Sequence, residues 1–128
     1  MQVNGKHYRT IWMAGSSVFM IDQNALPFSF KICEAKSYSD TCQAIVTMIT
    51  RGAGAIGAAA GFAMAQAFVE ADLQFGLFSS GYQVFVEKAR LEIEATRPTA
   101  RNLFYATERI YEAGLNSPEA AVAEAQKL

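Results

Sequence analysis

The chain has 128 residues, 52% of them apolar, with 11 basic and 12 acidic side chains for a net charge of -1. That length fits one domain with a modest core, the periodic apolar content argues against disorder, and the balanced charge argues against a nucleic-acid surface that works by charge alone. Cys33 and Cys42, nine positions apart, and the lone His7 form no zinc-ligand pattern, so neither a metal nor a cofactor is expected, and the cysteines fit a reduced, intracellular protein.

The N-terminal MQVNGKHYRTIW lacks an apolar stretch of signal-peptide length, so a cytoplasmic protein is expected. From Tyr8 to Cys33 the chain reads as strands. YRTIWMAG, SSVFMIDQ and PFSFKICEA are separated by short turn signals, Gly15-Ser16-Ser17 and Asn24 to Pro27, which predict a three-stranded antiparallel meander. The last run alternates at Phe28, Phe30 and Ile32. Trp12 is expected in the core, and His7 at the surface or on an edge strand.

After Ser37 the period becomes helical. Ser39 or Asp40 is expected to cap a first helix running to about Thr50, with Ala44, Ile45, Met48 and Ile49 on one side. A second runs from near Gly54 to near Asp72. Its uncharged stretch, Ala53 to Val69, is at the short limit for a membrane span and reads as a buried helix, so no membrane is expected. Leu73 to Ser79 is a linker. A third helix covers about Ser80 to Thr96, with Val84, Phe85, Ala89 and Ile93 as its stripe. Pro98 suits the first turn of a fourth, which runs to Glu112 and is stopped by Gly114. Ser117-Pro118 opens a fifth, which reaches Leu128 without a stop signal, as if the chain continued. The expected class is α+β: residues 1–36 a small sheet, residues 37–128 a bundle of about five helices, together one domain. Phe104, Tyr105 and Tyr111 read as core or domain-interface aromatics. Glu87, Glu92, Glu94 and Glu108 read as a solvated face, and Asp22 as a turn cap or a ligand group.

The run Arg51-Gly52-Ala53-Gly54-Ala55-Ile56-Gly57 carries two readings. Free N–H groups at a helix start, glycines that admit a close oxygen and a forked cation form a phosphate cradle. Alternatively Gly54, Gly57 and Gly61 share a helical face that lets a neighbour approach, and Arg51 sits at the C-terminus of the helix before. Arg97-Pro98-Thr99 repeats the pattern at another helix junction. Two such junctions would suit a phosphate if they converge, which spacing alone does not decide.

IDQNALP (21–27), RGAGAIGAAAGFAMAQA (51–67) and RPTARNLFYATERI (97–110), in this order, resemble the methylthioribose-1-phosphate isomerase family. Its relatives include ribose-1,5-bisphosphate isomerase and the regulatory subunits of initiation factor 2B. The resemblance covers essentially the whole chain but only the family's N-terminal domain, and a Rossmann-like C-terminal domain is its expected partner if the chain continues. It implies that Arg51, Gly52, Ala53 and Arg97 hold a phosphorylated pentose-type sugar. It places the catalytic cysteine and aspartate in the C-terminal domain, so no catalytic residue is expected here. A regulatory or scaffold domain is the alternative, and self-association is a further expectation. Two positions depart from the family pattern: Gly54 stands where RGAPAIG has proline, and Arg101 where RPTAVNL has valine. Arg101, four residues after Arg97, is expected on the same helical face.

Overall fold

The computed structural model describes residues 2–3, 6–7, 11–22, 32–47, 53–98 and 100–128. The expectations for Phe28, Phe30, Met48, Ile49, Arg51, Gly52 and Thr99 lie outside these residues.

The predicted meander is present: β3 (Ile11–Ala14), β4 (Ser17–Ile21) and β5 (Ile32–Ala35) pair antiparallel in that order. A short ribbon of β1 (Gln2–Val3) and β2 (Lys6–His7) precedes it, which puts His7 on a strand. Gly15 and Ser16 form the two-residue link between β3 and β4. Gly15 takes φ +63, the left-handed conformation a tight hairpin favours at its first loop position. The register places Met13 opposite Val18 and Ile11 opposite Met20, and all four are buried toward the helices.

Strand alternation then forces Trp12 outward. It is half-buried on the far face, stacked on its cross-strand partner Phe19 at 5.8 Å, and so is not a core residue. Ile32 likewise faces outward, at 42% exposure, because Cys33 and Ala35 take the inner positions of β5.

Five helices follow: α1 (Tyr38–Val46), α2 (Ala53–Phe75), α3 (Ser80–Ala95), α4 (Arg101–Gly114) and α5 (Pro118–Ala125). α2 is the axis, touching the other four helices as well as β3 and β4. It is long and apolar enough to cross a membrane, yet 72% of its apolar window is buried inside the fold, so its composition serves the core. Ala59, Ala60, Ala63, Ala67 and Ala71 are buried along it, and their small side chains let neighbours close in from several directions.

One polar residue interrupts the helix's uncharged stretch from Ala53 to Val69. Gln66 is 1% exposed and fully engaged. Its amide nitrogen donates to the Ser16 carbonyl at 3.0 Å and the Ala35 carbonyl at 2.9 Å, and its oxygen accepts from the Thr41 hydroxyl at 2.6 Å. It thus ties the sheet's first turn, the end of β5 and α1 to the central helix.

The cap of α1 is Ser37, not Ser39 or Asp40, and its hydroxyl accepts from the Asp40 N–H at 3.1 Å. The start moves forward because a distant residue helps: the Tyr38 N–H donates to the Glu70 carboxylate of α2 at 2.7 Å. Burial raises the pKa of Glu70, the Tyr38 N–H lowers it less, and Asp40 raises it further. A carboxyl whose folded pKa is raised binds more protons in the native state, so stability rises as pH falls toward it. Between neutral pH and a mildly acidic pH nearer the ordinary carboxyl range, the chain is expected to gain a stability component that Glu70→Gln lacks, since glutamine still accepts from Tyr38. Urea midpoints of both proteins at the two pH values test this. Equal pH slopes would show that Glu70 does not titrate differently on folding.

The core stripe of α3 is Tyr82, Val86, Ala89 and Ile93. Val84, expected inside, is 68% exposed, and Phe85 is only partly buried. The apolar run around 82–86 offers two overlapping stripes, and the ring contact of Tyr82 with Phe68 at 6.1 Å accompanies the observed one. α2 runs past Asp72 to Phe75, where Gly76 at φ +84 donates its N–H to the Asp72 carbonyl and ends the helix. Ser117 caps α5 as expected, with Pro118 in its first turn.

Candidate functional site

Contacts climb together along α2 and α4. The Cβ position of Gly57 lies 3.3 Å from Asn102, that of Gly61 lies 3.3 Å from Ile110, and Phe68 meets Gly114 further on. The two helices therefore run in the same direction and start at the same end of the bundle. Each start leaves backbone N–H groups without intrahelical acceptors and carries partial positive charge. Side by side, the two starts reinforce one another as an anion-attracting end.

The start of α4 differs from the expected one. Pro98 lies in a turn ahead of the helix, not in its first turn. The Ala100 N–H donates to the Arg97 carbonyl at 3.0 Å, closing that turn, and Ala100 then stands at the cap position without a side-chain hydrogen bond. Serines cap α1, α3 and α5, so the first N–H groups of α4 are more open than theirs. Arg97 is half-buried in this turn and Arg101 is exposed as the first helical residue. Since Arg97 is outside the helix, the one-turn spacing that would align it with Arg101 does not apply. Neither has an ion-pair partner among the described residues.

At the start of α2, Ala53 is the first helical residue, with Arg51 and Gly52 just before it. The packing reading of the glycines holds for Gly57 and Gly61, which α4 approaches closely. It fails for Gly54, which is exposed with no atom within 4 Å of its Cβ position. A cleft of about 290 Å³ opens beside these first turns, lined by Gly54, Gly57, Asn102, Tyr105, Arg109 and Lys127 among others. Arg109 and Lys127 are both held by Glu124, at 2.6 and 3.3 Å, which fastens α5 to α4 along the cleft.

Asn102, Arg109 and Lys127 were not singled out from the sequence. Asn102 does lie inside the RPTARNL motif, whose spacing from the glycine run was the available signal. Tyr105, 66% exposed, and Phe104, 37% exposed, are not core residues. Tyr111 is half-buried between Phe68 at 6.0 Å and the Arg90 guanidinium at 4.5 Å.

The carboxylates expected on a solvated face are only partly free. Glu87 accepts from the Tyr111 hydroxyl, Glu92 from the Tyr38 hydroxyl at 3.0 Å, and Glu94 pairs with Arg90 at 3.3 Å. Burial, with Glu92 and Glu70 nearby, pushes the Cys42 thiol up to about 12. Such a thiol is neither a nucleophile nor a useful proton donor near neutral pH.

No family model matches the chain. It is 38% identical over 122 residues to methylthioribose-1-phosphate isomerase of Methylorubrum populi, a match covering 94% of this chain and 31% of that protein. The Acetivibrio thermocellus protein of the same name is 39% identical over 113 residues, covering 85% and 31%. The crystal structure of 5-methylthioribose 1-phosphate isomerase from Pyrococcus horikoshii superposes with a TM-score of 0.84 at 35% identity, covering 95% of this chain and 36% of that one. Translation initiation factor eIF-2B subunit delta from A. fulgidus superposes with a TM-score of 0.82 at 31% identity, covering 94% and 36%. The chain thus spans about a third of the length of the relatives it matches. By sequence and fold together, it belongs to the methylthioribose-1-phosphate isomerase and initiation factor 2B family, as the counterpart of that family's N-terminal domain.

Proposed function

We propose that residues 1–128 form the substrate-gripping N-terminal domain of a cytoplasmic sugar-1-phosphate aldose–ketose isomerase. The observation that carries this reading is the parallel packing of α2 and α4, with Arg97 in the turn before α4 and Arg51 just ahead of α2. Backbone N–H groups from Gly52 and Ala53 and the forked donors of Arg51 and Arg97 would share the oxygens of a phosphorylated pentose-type sugar. The phosphate supplies the charge that the paired helix starts favour.

Proton transfer between the two sugar carbons needs a poised acid and base. The family pattern takes its cysteine and aspartate from a C-terminal domain, so this chain by itself is expected to bind and not to turn over. Cys42, with its pKa raised by burial, does not substitute.

Methylthioribose 1-phosphate titrated into the ¹⁵N-labelled chain is expected to shift amides in the first turns of α2 and α4. Arg97→Ala should weaken that binding by about tenfold to a hundredfold, the worth of a charge-assisted hydrogen bond. Unchanged affinity in the variant would remove Arg97 from the site. The near-equal superposition on the eIF-2B delta subunit favours a second reading, a regulatory or scaffold domain. Absence of any sugar-phosphate or phosphate shift at these helix starts would support that one instead.

A further inference from the structure

We propose that the groove between the C-terminal half of α2 and α5 is a second binding site, for a small organic cation with an apolar body, an alkyl- or arylalkylammonium. The open groove has a volume of about 510 Å³, within the range of small-molecule sites. It lies about 24 Å along α2 from Ala53, since a helix rises 1.5 Å per residue, and so is separate from the paired helix starts. Val69 and Leu73 from α2, with Pro118 and Val122 from α5, give it an apolar lining, and the β3–β4 turn closes one side.

Its charge has one sign. Among the described residues, Asp72 and Glu119 line it, no lysine or arginine does, and neither carboxylate has an ion-pair partner. Tyr82 is 2% exposed, and its hydroxyl is buried without a hydrogen-bond partner among the described residues, a rare condition that calls for an explanation. Burial and then the fields of Asp72 and Glu119 raise its phenol pKa. An apolar lining of this size requires an apolar body, and two unneutralised carboxylates select a cation over a neutral or anionic group. An ammonium also brings N–H donors, which the carboxylate oxygens of Asp72 and Glu119 accept.

The test uses n-hexylammonium, hexan-1-ol and hexanoate at matched ionic strength, with the full ¹⁵N-labelled chain. Hexylammonium is expected to give saturable shifts at Val69, Leu73 and Val122. Hexan-1-ol should bind at least about tenfold more weakly, and hexanoate should give no saturable shift. The double variant Asp72→Asn, Glu119→Gln should lose at least about tenfold in hexylammonium affinity while its melting temperature stays close to that of the parent. Equal binding of hexan-1-ol and hexylammonium, shifts that never saturate, or undiminished affinity in the double variant would each overturn the proposal. The comparison of the three probes on the unmodified chain decides the matter even if the double variant does not fold.

Discussion

Replacing Gln66 with leucine is expected to destabilise the chain by about 2–4 kcal/mol, although leucine suits the rest of α2 far better than glutamine does. The reason is what the substitution leaves behind. The carbonyls of Ser16 and Ala35 lose donors at 3.0 and 2.9 Å, and the Thr41 hydroxyl loses its 2.6 Å acceptor, keeping only a 3.3 Å bond to the Ser37 carbonyl. An unsatisfied buried polar group costs about 1–3 kcal/mol, and the apolar gain of leucine offsets only part of that sum. Gln66→Glu should not rescue, because a carboxylate puts an acceptor oxygen where the amide nitrogen donated, facing the two carbonyl oxygens of Ser16 and Ala35. Urea unfolding of the three proteins measures the effect. A loss below about 1 kcal/mol for Gln66→Leu would mean that water replaces the amide, and that the network is not what joins sheet to bundle.

Gly114→Ala is the second large effect, an expected loss of about 1–3 kcal/mol. A Cβ at this position would stand 2.2 to 2.6 Å from three ring atoms of Phe68. Phe68 is 1% exposed and held between Tyr82 and Tyr111, with ring centroids 6.1 and 6.0 Å away, so it has little room to yield. Alanine is the better helix former by about 1 kcal/mol, which makes the predicted sign a real contest between propensity and packing, one that packing wins. Gly81 offers a useful contrast. Its Cβ position lies 2.6 Å from Phe75, but Phe75 is 48% exposed and can swing aside. A Phe68→Leu, Gly114→Ala double variant should be more stable than the two single losses predict when added, because the smaller side chain vacates the overlap. Strict additivity would show that Gly114 is constrained by something other than that ring.

Both effects depend on contacts that local sequence signals do not specify. Gln66 is the one polar side chain between Ala53 and Val69, but its three partners lie 25 to 50 positions away, in parts of the chain that read only as a strand end, a turn and a helix face. Gly114 read as a helix stop, since glycine after a periodic segment usually is one. Here it is the last helical residue, followed by Leu115 in right-handed helical backbone, and its lack of a Cβ serves Phe68.

What the sequence determined by itself was the order and kind of the elements. Alternation and the Gly15-Ser16 link set the β3–β4 hairpin, apolar periodicity set the helices, and Ser117-Pro118 set the start of α5, because each depends on residues within a few positions of one another. The motifs around Arg51 and Arg97 also identified the family. Only the tertiary structure decided which way the elements face. It turned Trp12 outward, set α1 against Glu70, chose Tyr82 over Val84 for the inner face of α3, and laid α2 and α4 parallel so that their starts meet. These outcomes depend on pairings between residues far apart in the chain. Several stripes and caps are locally acceptable, and shared burial with a distant partner selects among them.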